Sequence, residues 1–133
     1  MSMYEWDESL DVGVPAMNAE HQKLISMMDQ MFELVNGEST FEQQLAALDG
    51  LMGYAVEHFE DEEAYMESIG HPGLEEHRLI HQMLVDKLTR HRGKVVEAEE
   101  IPPKFFKFLN FWLISHIKGA DSEYGEHAKT IAA

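Results

Sequence analysis

Four stretches of this chain place apolar side chains at alternating steps of three and four residues, and that spacing leaves little choice of fold. In the second stretch the stripe runs Phe41, Leu45, Leu48, Met52, Ala55, Phe59, Glu62 and Met66. The third gives Leu74, His77, His81, Leu84 and Leu88, and the fourth Phe105, Leu109, Trp112 or Leu113, and His116. The first runs His21, Leu24 or Ile25, Met28, Phe32 and Val35. A helix turns once every 3.6 residues, so each stretch presents one apolar stripe that must be buried. Glu42, Asp49, Arg78 and Asp86 fall off the stripes, as solvent-facing residues should.

The punctuation agrees. Asn36-Gly37-Glu38-Ser39-Thr40, the stretch from Ser68 to Gly73, and Gly93 to Pro103 separate the four segments. Thr40 is an expected N-cap, Gly37 and Gly93 sit where helices should stop, and Pro103 sits where one can start. Helices are therefore expected over about 18–36, 40–67, 73–92 and 103–127. Residues 1–17 show no helical period and read as an extended N-terminal arm. No alternating Val/Ile/Thr-rich run supports a sheet. Short connections favour antiparallel neighbours, so the expected fold is all-α, a single domain over 1–133 built as an up-down-up-down antiparallel four-helix bundle.

Composition narrows function. Ten Lys and Arg against 25 Asp and Glu give a formal net charge of −15, which repels phosphate backbones and anionic membranes. No nucleic-acid partner and no membrane insertion are expected. The chain has no Cys, which rules out disulfides, thiolate metal sites and cysteine nucleophiles. The N-terminus is acidic and carries no export signal, so a cytoplasmic location and a soluble monomer are expected.

The stripes carry polar residues that a core should reject. His21 begins the first; His58 and Glu62, four apart, share a face of the second; His77 and His81 share a face of the third; His116 lies on the fourth, with Asp121 five residues on. Burying seven such groups without compensation costs several kcal/mol each, more than a domain of this size tolerates. In an up-down bundle all seven reach one end. Imidazole and carboxylate are ligands for first-row metals, and an i, i+4 pair aims two donors at one point. Asp121 is out of phase, because five residues of regular helix turn by roughly 500°, about 140° off the face of His116. Either the helix widens there, as in a π-bulge, or the side chain reaches across. Three other histidines, His71, His91 and His127, lie in turns or helix ends and fall outside the set.

Seven ligands exceed the four that tetrahedral zinc takes, and five nitrogens are too many for calcium or magnesium. Two adjacent ions sharing two carboxylates fit the count. Five imidazoles then divide three and two, which leaves one ion an open position.

The set H-x3-E, H-x3-H and H-x4-D, with an earlier histidine in an EHQK context, resembles the hemerythrin family, most of all its single-domain bacterial members. The likeness covers essentially the whole chain, including Trp6 and DVGV in the arm and the HFEDEE and WLISHIKGAD stretches. It implies two iron ions, one held by His77, His81 and His116 and the other by His21 and His58. Glu62 and Asp121 would bridge them with an oxo or hydroxo group. It further implies reversible binding of dioxygen beside an apolar wall of Leu24, Phe59 and Leu113, for storage, transport or delivery to an oxygen-consuming enzyme.

The residues themselves favour binding over turnover, so no enzymatic activity is expected. No histidine has Glu three positions before it, the motif of oxygen-activating di-iron bundles. The alternatives are a di-iron peroxidase or nitric-oxide-handling enzyme, or a sensing module for oxygen or iron.

Overall fold

The structure, a computed structural model, describes residues 6 and 8–132; the remainder of the expected arm lies outside the described residues. The chain is all-α. A 3-10 turn, Glu8–Leu10, leads into α1 (Pro15–Asn36), α2 (Phe41–Ser68), α3 (Leu74–Ala98) and α4 (Pro103–His116). A π turn, Ile117–Asp121, then joins α4 to α5 (Ser122–Ala132), so that the last rod of the bundle is one helix with a widened joint.

Each boundary has a local cause. Thr40 caps α2 through a capping box: its hydroxyl accepts from the Gln43 N–H at 3.1 Å while the Gln43 side chain accepts from the Thr40 N–H at 2.9 Å. Helix α2 ends in a Schellman turn. The His71 N–H donates to Met66 O, the Gly70 N–H donates to Glu67 O, and Gly70 takes φ +63° between them.

Three ends differ from expectation by three residues or more, the last rod running to Ala132 rather than 127. Helix α1 starts at Pro15 rather than 18, because proline's missing N–H and fixed φ suit the first helical position. Helix α3 runs past Gly93 to Ala98. A glycine inside a helix costs about 1 kcal/mol relative to alanine, and burial of Val95 two residues further on offsets it. The helix stops at Glu99, whose φ of 54° is left-handed.

Packing closes the ring of rods. The core takes Leu24, Met28 and Met31 from α1, Leu48, Leu51 and Met66 from α2, Leu88 from α3, and Phe105, Leu109 and Leu113 from α4. Phe32 meets Phe106 edge-on at 5.1 Å, joining α1 to α4. Large side chains join α3 to α4: the Trp112 indole donates to Leu84 O at 3.1 Å, and the His91 ring stacks on Phe108 at 3.8 Å. His91 is thus mid-helix rather than terminal, because α3 continues beyond it.

The arm is not a free tail. Leu10, Val12 and Val14 are buried. The Asp11 carboxylate accepts from the Gly13 N–H and from Asn18, whose own carbonyl accepts from the Val12 N–H.

Candidate metal centre

The bundle brings all seven sequence-derived residues to one end. His21 stands in the second turn of α1, His58 and Glu62 near the end of α2, His77 and His81 in the first turns of α3, and His116 at the end of α4. None is more than 7% exposed, and Glu62, Asp121 and His21 are 0% exposed. Asp121 arrives by the first of the two routes open to it: the helix widens over Ile117–Asp121, and Oδ1 comes 2.9 Å from His116 Nε2.

All five imidazoles turn Nε2 toward the two carboxylates. His21 Nε2 lies 3.2 Å from Glu62 Oε2 and 3.1 Å from Asp121 Oδ2. His58 and His81 Nε2 lie 3.3 and 3.1 Å from Glu62 Oε1, and His77 Nε2 lies 3.0 Å from Asp121 Oδ1. The donors fall into two groups whose members lie within 4.8 Å of one another: Glu62, His77, His81, His116 and Asp121, and then His21, His58, Glu62 and Asp121. Both carboxylates belong to both groups.

His21 Nε2 with Glu62 Oε2 and His81 Nε2 with His116 Nε2 have hydrogen-bonding geometry, both at 3.2 Å, but most of these close approaches do not. His58 Nε2, His77 Nε2, Glu62 Oε1 and both Asp121 oxygens are buried without a hydrogen-bond partner among the described residues. Buried donor atoms that converge to about 3 Å yet leave their lone pairs unshared fit a metal centre.

Electrostatics of the protein residues alone point the same way. Burial opposes charge on His21, but the Asp121 and Glu62 carboxylates outweigh it and raise its pKa to about 9. His116 is raised to about 10 against the same opposition, chiefly by Asp121. Burial would push the Glu62 carboxyl up, yet the surrounding imidazoles, His116 first, hold it well below the usual range. Carboxylates so deeply buried need cations beside them, and protons on His21 and His116 are what the metal-free protein has to offer.

Three further residues complete the site, and the sequence did not single them out. Glu20 Oε1 lies 2.6 Å from His58 Nδ1, and Glu63 Oε2 lies 2.9 Å from His81 Nδ1. Each carboxylate fixes a tautomer that turns the Nε2 lone pair inward. The Tyr124 hydroxyl donates to Glu62 Oε2 at 2.7 Å. Burial, then the charges of Glu62 and Asp121, hold this phenol far above its ordinary pKa. Each lies close in sequence to a metal-ligand candidate, but which neighbouring helix it meets is visible only in three dimensions.

Leu24, Phe59 and Leu113 are buried within one turn of His21, His58 and His116. The Phe59 ring stacks on His81 at 4.0 Å. His71 and His127 pair edge-on at 5.0 Å, apart from the site: His127 Nε2 meets Ile69 O, and His71 Nδ1 accepts from the Gly73 N–H.

A helix bundle with such a donor set at one end is a metal-binding protein of the carboxylate–histidine class. Comparison with known proteins carries this further: the family description "Hemerythrin HHE cation binding domain" matches residues 12–128. The chain belongs to the hemerythrin family. It is 26% identical to a bacteriohemerythrin of Stenotrophomonas maltophilia (strain R551-3) over 97% of this chain and 84% of that one. It is 32% identical to a myohemerythrin of Riftia pachyptila, covering 92% of each. A crystal structure of wild-type hemerythrin superimposes with a TM-score of 0.84 at 24% identity, over 94% of this chain and 97% of the other, and so shares the fold.

Proposed function

We infer that this protein binds dioxygen reversibly at a pair of iron ions and does not turn it over. One observation carries the reading: five imidazoles divide three and two between donor groups that share both carboxylates. His77, His81 and His116 would hold one ion, His21 and His58 the other, and Glu62 and Asp121 would offer one oxygen to each. The group with two histidines has one protein ligand fewer, which leaves room for a small molecule.

Iron, when bound, supplies the electrons that dioxygen takes up on binding and gives back on release. The chain's own residues do the rest. Glu20 and Glu63 hold His58 and His81 in the tautomer that presents Nε2. The Tyr124 hydroxyl donates a hydrogen bond to Glu62 and is held neutral by its surroundings, so it orients that carboxylate rather than acting as an acid. Leu24, Phe59 and Leu113 keep water from the site. Cleavage of an O–O bond needs delivered protons, and the buried acids of this site, Glu62 and Asp121, have their pKa values lowered. That favours release over reduction.

Metal analysis combined with absorption spectra through repeated cycles of air and degassing tests this. Two irons per chain and a spectral change that reverses over many cycles are expected. A change that occurs once, or steady release of peroxide, refutes reversible binding.

A further inference from the structure

We propose that the face formed by α3 and α4 is a docking groove for an acidic, amphipathic segment of a partner protein, seated with its apolar end toward the metal centre. The first support is charge. Residues 87–118 carry seven Lys and Arg against three Glu, a local net of +4, while the rest of the chain carries three cations against 22 acids, a net of −19. In so acidic a chain, cations should find carboxylates easily. Yet Lys87, Arg90, Lys94, Lys104 and Lys107 have no carboxylate oxygen within 4.0 Å among the described residues, whereas Arg78, Arg92 and Lys129 do.

The second support is arrangement. Leu79, Met83, Lys87, Arg90 and Lys94 follow one another along α3 at steps of four, four, three and four, which places them on one outer stripe. Leu79 and Met83 are 68% and 57% exposed, and Phe111 on α4 is 73% exposed. These are unusual exposures for such large apolar side chains. Helix α4 runs antiparallel, so Phe111 flanks the apolar half of the stripe, while Lys104 and Lys107 flank its cationic half.

Two hollows that share Lys87 mark this face, one between the helices and one along α3. One, of about 300 Å³, is lined by Ile80, Leu84, Phe108 and Phe111, and has Lys87 at one end and His116 at the other. The next, of about 440 Å³, is lined by Lys87, Arg90, His91 and Lys94 alone. His91 registers the local field: burial, then Lys94, Arg90 and Lys104, lower its pKa. The stripe from Leu79 to Lys94 is about 22 Å long at 1.5 Å per residue, the length of a short helix.

Chemistry selects the occupant. A helix laid in a groove needs apolar anchors where the groove is apolar and carboxylates where it is cationic. Remote acids do not forbid this, because at physiological ionic strength their repulsion fades over about 8 Å. A flat anionic bilayer would instead approach the whole −15 molecule. A second copy docking isologously would set lysine against lysine.

The test uses the iron-loaded protein and a fluorescent helical peptide of about 16 residues, matched to the 1.5 Å rise, with Leu at i, i+4 spacing in one half and Glu in the other. Saturable binding by anisotropy that weakens with added salt is expected. Lys87→Glu combined with Arg90→Glu should weaken it about tenfold, since two exposed attractions become repulsions. Phe111→Ser should weaken it independently of salt, and a peptide with Lys in place of Glu should prefer the doubly reversed variant. These positions are exposed and none is a metal-ligand candidate, so iron content should not change. Equal affinity for a scrambled peptide, indifference to the substitutions, binding to phosphatidylglycerol vesicles in place of the peptide, or a dimer that the same substitutions dissolve would each overturn the proposal.

Discussion

Gly125 and Val12 touch backbone to backbone: a Cβ built on Gly125 would stand 1.9 Å from the carbonyl oxygen of Val12. No side chain rearrangement relieves that contact, because the obstruction is main chain. The arm is thereby keyed to the last rod, one residue from Tyr124 and four from Asp121. Gly125→Ala should lift the arm and cost about 1–3 kcal/mol, the usual range for overpacking. Urea unfolding measures the loss, and faster proteolysis near Val12 should accompany it. An unchanged midpoint would show that the arm contributes nothing.

The bundle was legible because its stripes are long and in phase. Met28, Leu48, Ala55, Phe59, Met66 and Leu88 all come from those stripes, and all are buried. What the sequence could not supply was the effect of tertiary packing on local signals. Gly93 reads as a stop, but Val95 beyond it has a place in the core, so the helix continues. Residues 1–17 read as an extended arm, and the sequence does not say that Leu10, Val12 and Val14 anchor it. In the site, spacing alone picks out the seven convergent residues because each lies on a stripe or one distorted turn from it. Glu20 and Glu63 have no such mark, since their meaning depends on His58 and His81 of the adjacent helices.

Those two carboxylates make a separable prediction. Glu63→Gln keeps the size of the side chain but removes the charge that His81 Nδ1 faces at 2.9 Å. Loss of such a partner costs about 10–100-fold in metal affinity. Competition with a chelator should show that loss for Glu63→Gln and for Glu20→Gln. Full retention of iron by both would mean that the imidazoles are oriented by packing alone.

Ligands and wall residues should fail differently. His116→Ala or His77→Ala removes a donor and should lower the iron bound per chain. Leu113→Ala leaves every donor in place but opens a cavity at a residue only 1% exposed, with a stability cost of about 2–5 kcal/mol. Its iron content should stay near the parent value while the oxygenated form decays faster, because water gains access. Iron content and the decay of the oxygenated spectrum separate the two outcomes. Loss of iron from Leu113→Ala would place that side chain among the supports of the ligands instead.

The metal-free protein should respond to pH in a definite direction. His21 titrates near 6.5 when unfolded and near 9 when folded, because Asp121 and Glu62 outweigh burial. A folded pKa raised in this way contributes stability that is complete below 6.5 and disappears as pH climbs through 9. His116, raised to about 10, extends the loss further. Glu62 and Asp121 act in the opposite sense. Their folded pKa values lie below the ordinary 4.5 and 3.8, so their share is present above those values and is lost as pH falls. Metal-free protein should therefore be most stable between about pH 4.5 and 6.5 and lose on the order of 3 kcal/mol by pH 9, at 1.36 kcal/mol per unit for His21 alone. Metal reverses the slope, because ligands must shed protons to bind it and bind better as pH rises. Urea midpoints with and without iron should thus diverge between pH 6.5 and 9, the metal-free curve falling. A metal-free midpoint that stays level or rises across that window would mean that protons do not take the metal's place among these carboxylates.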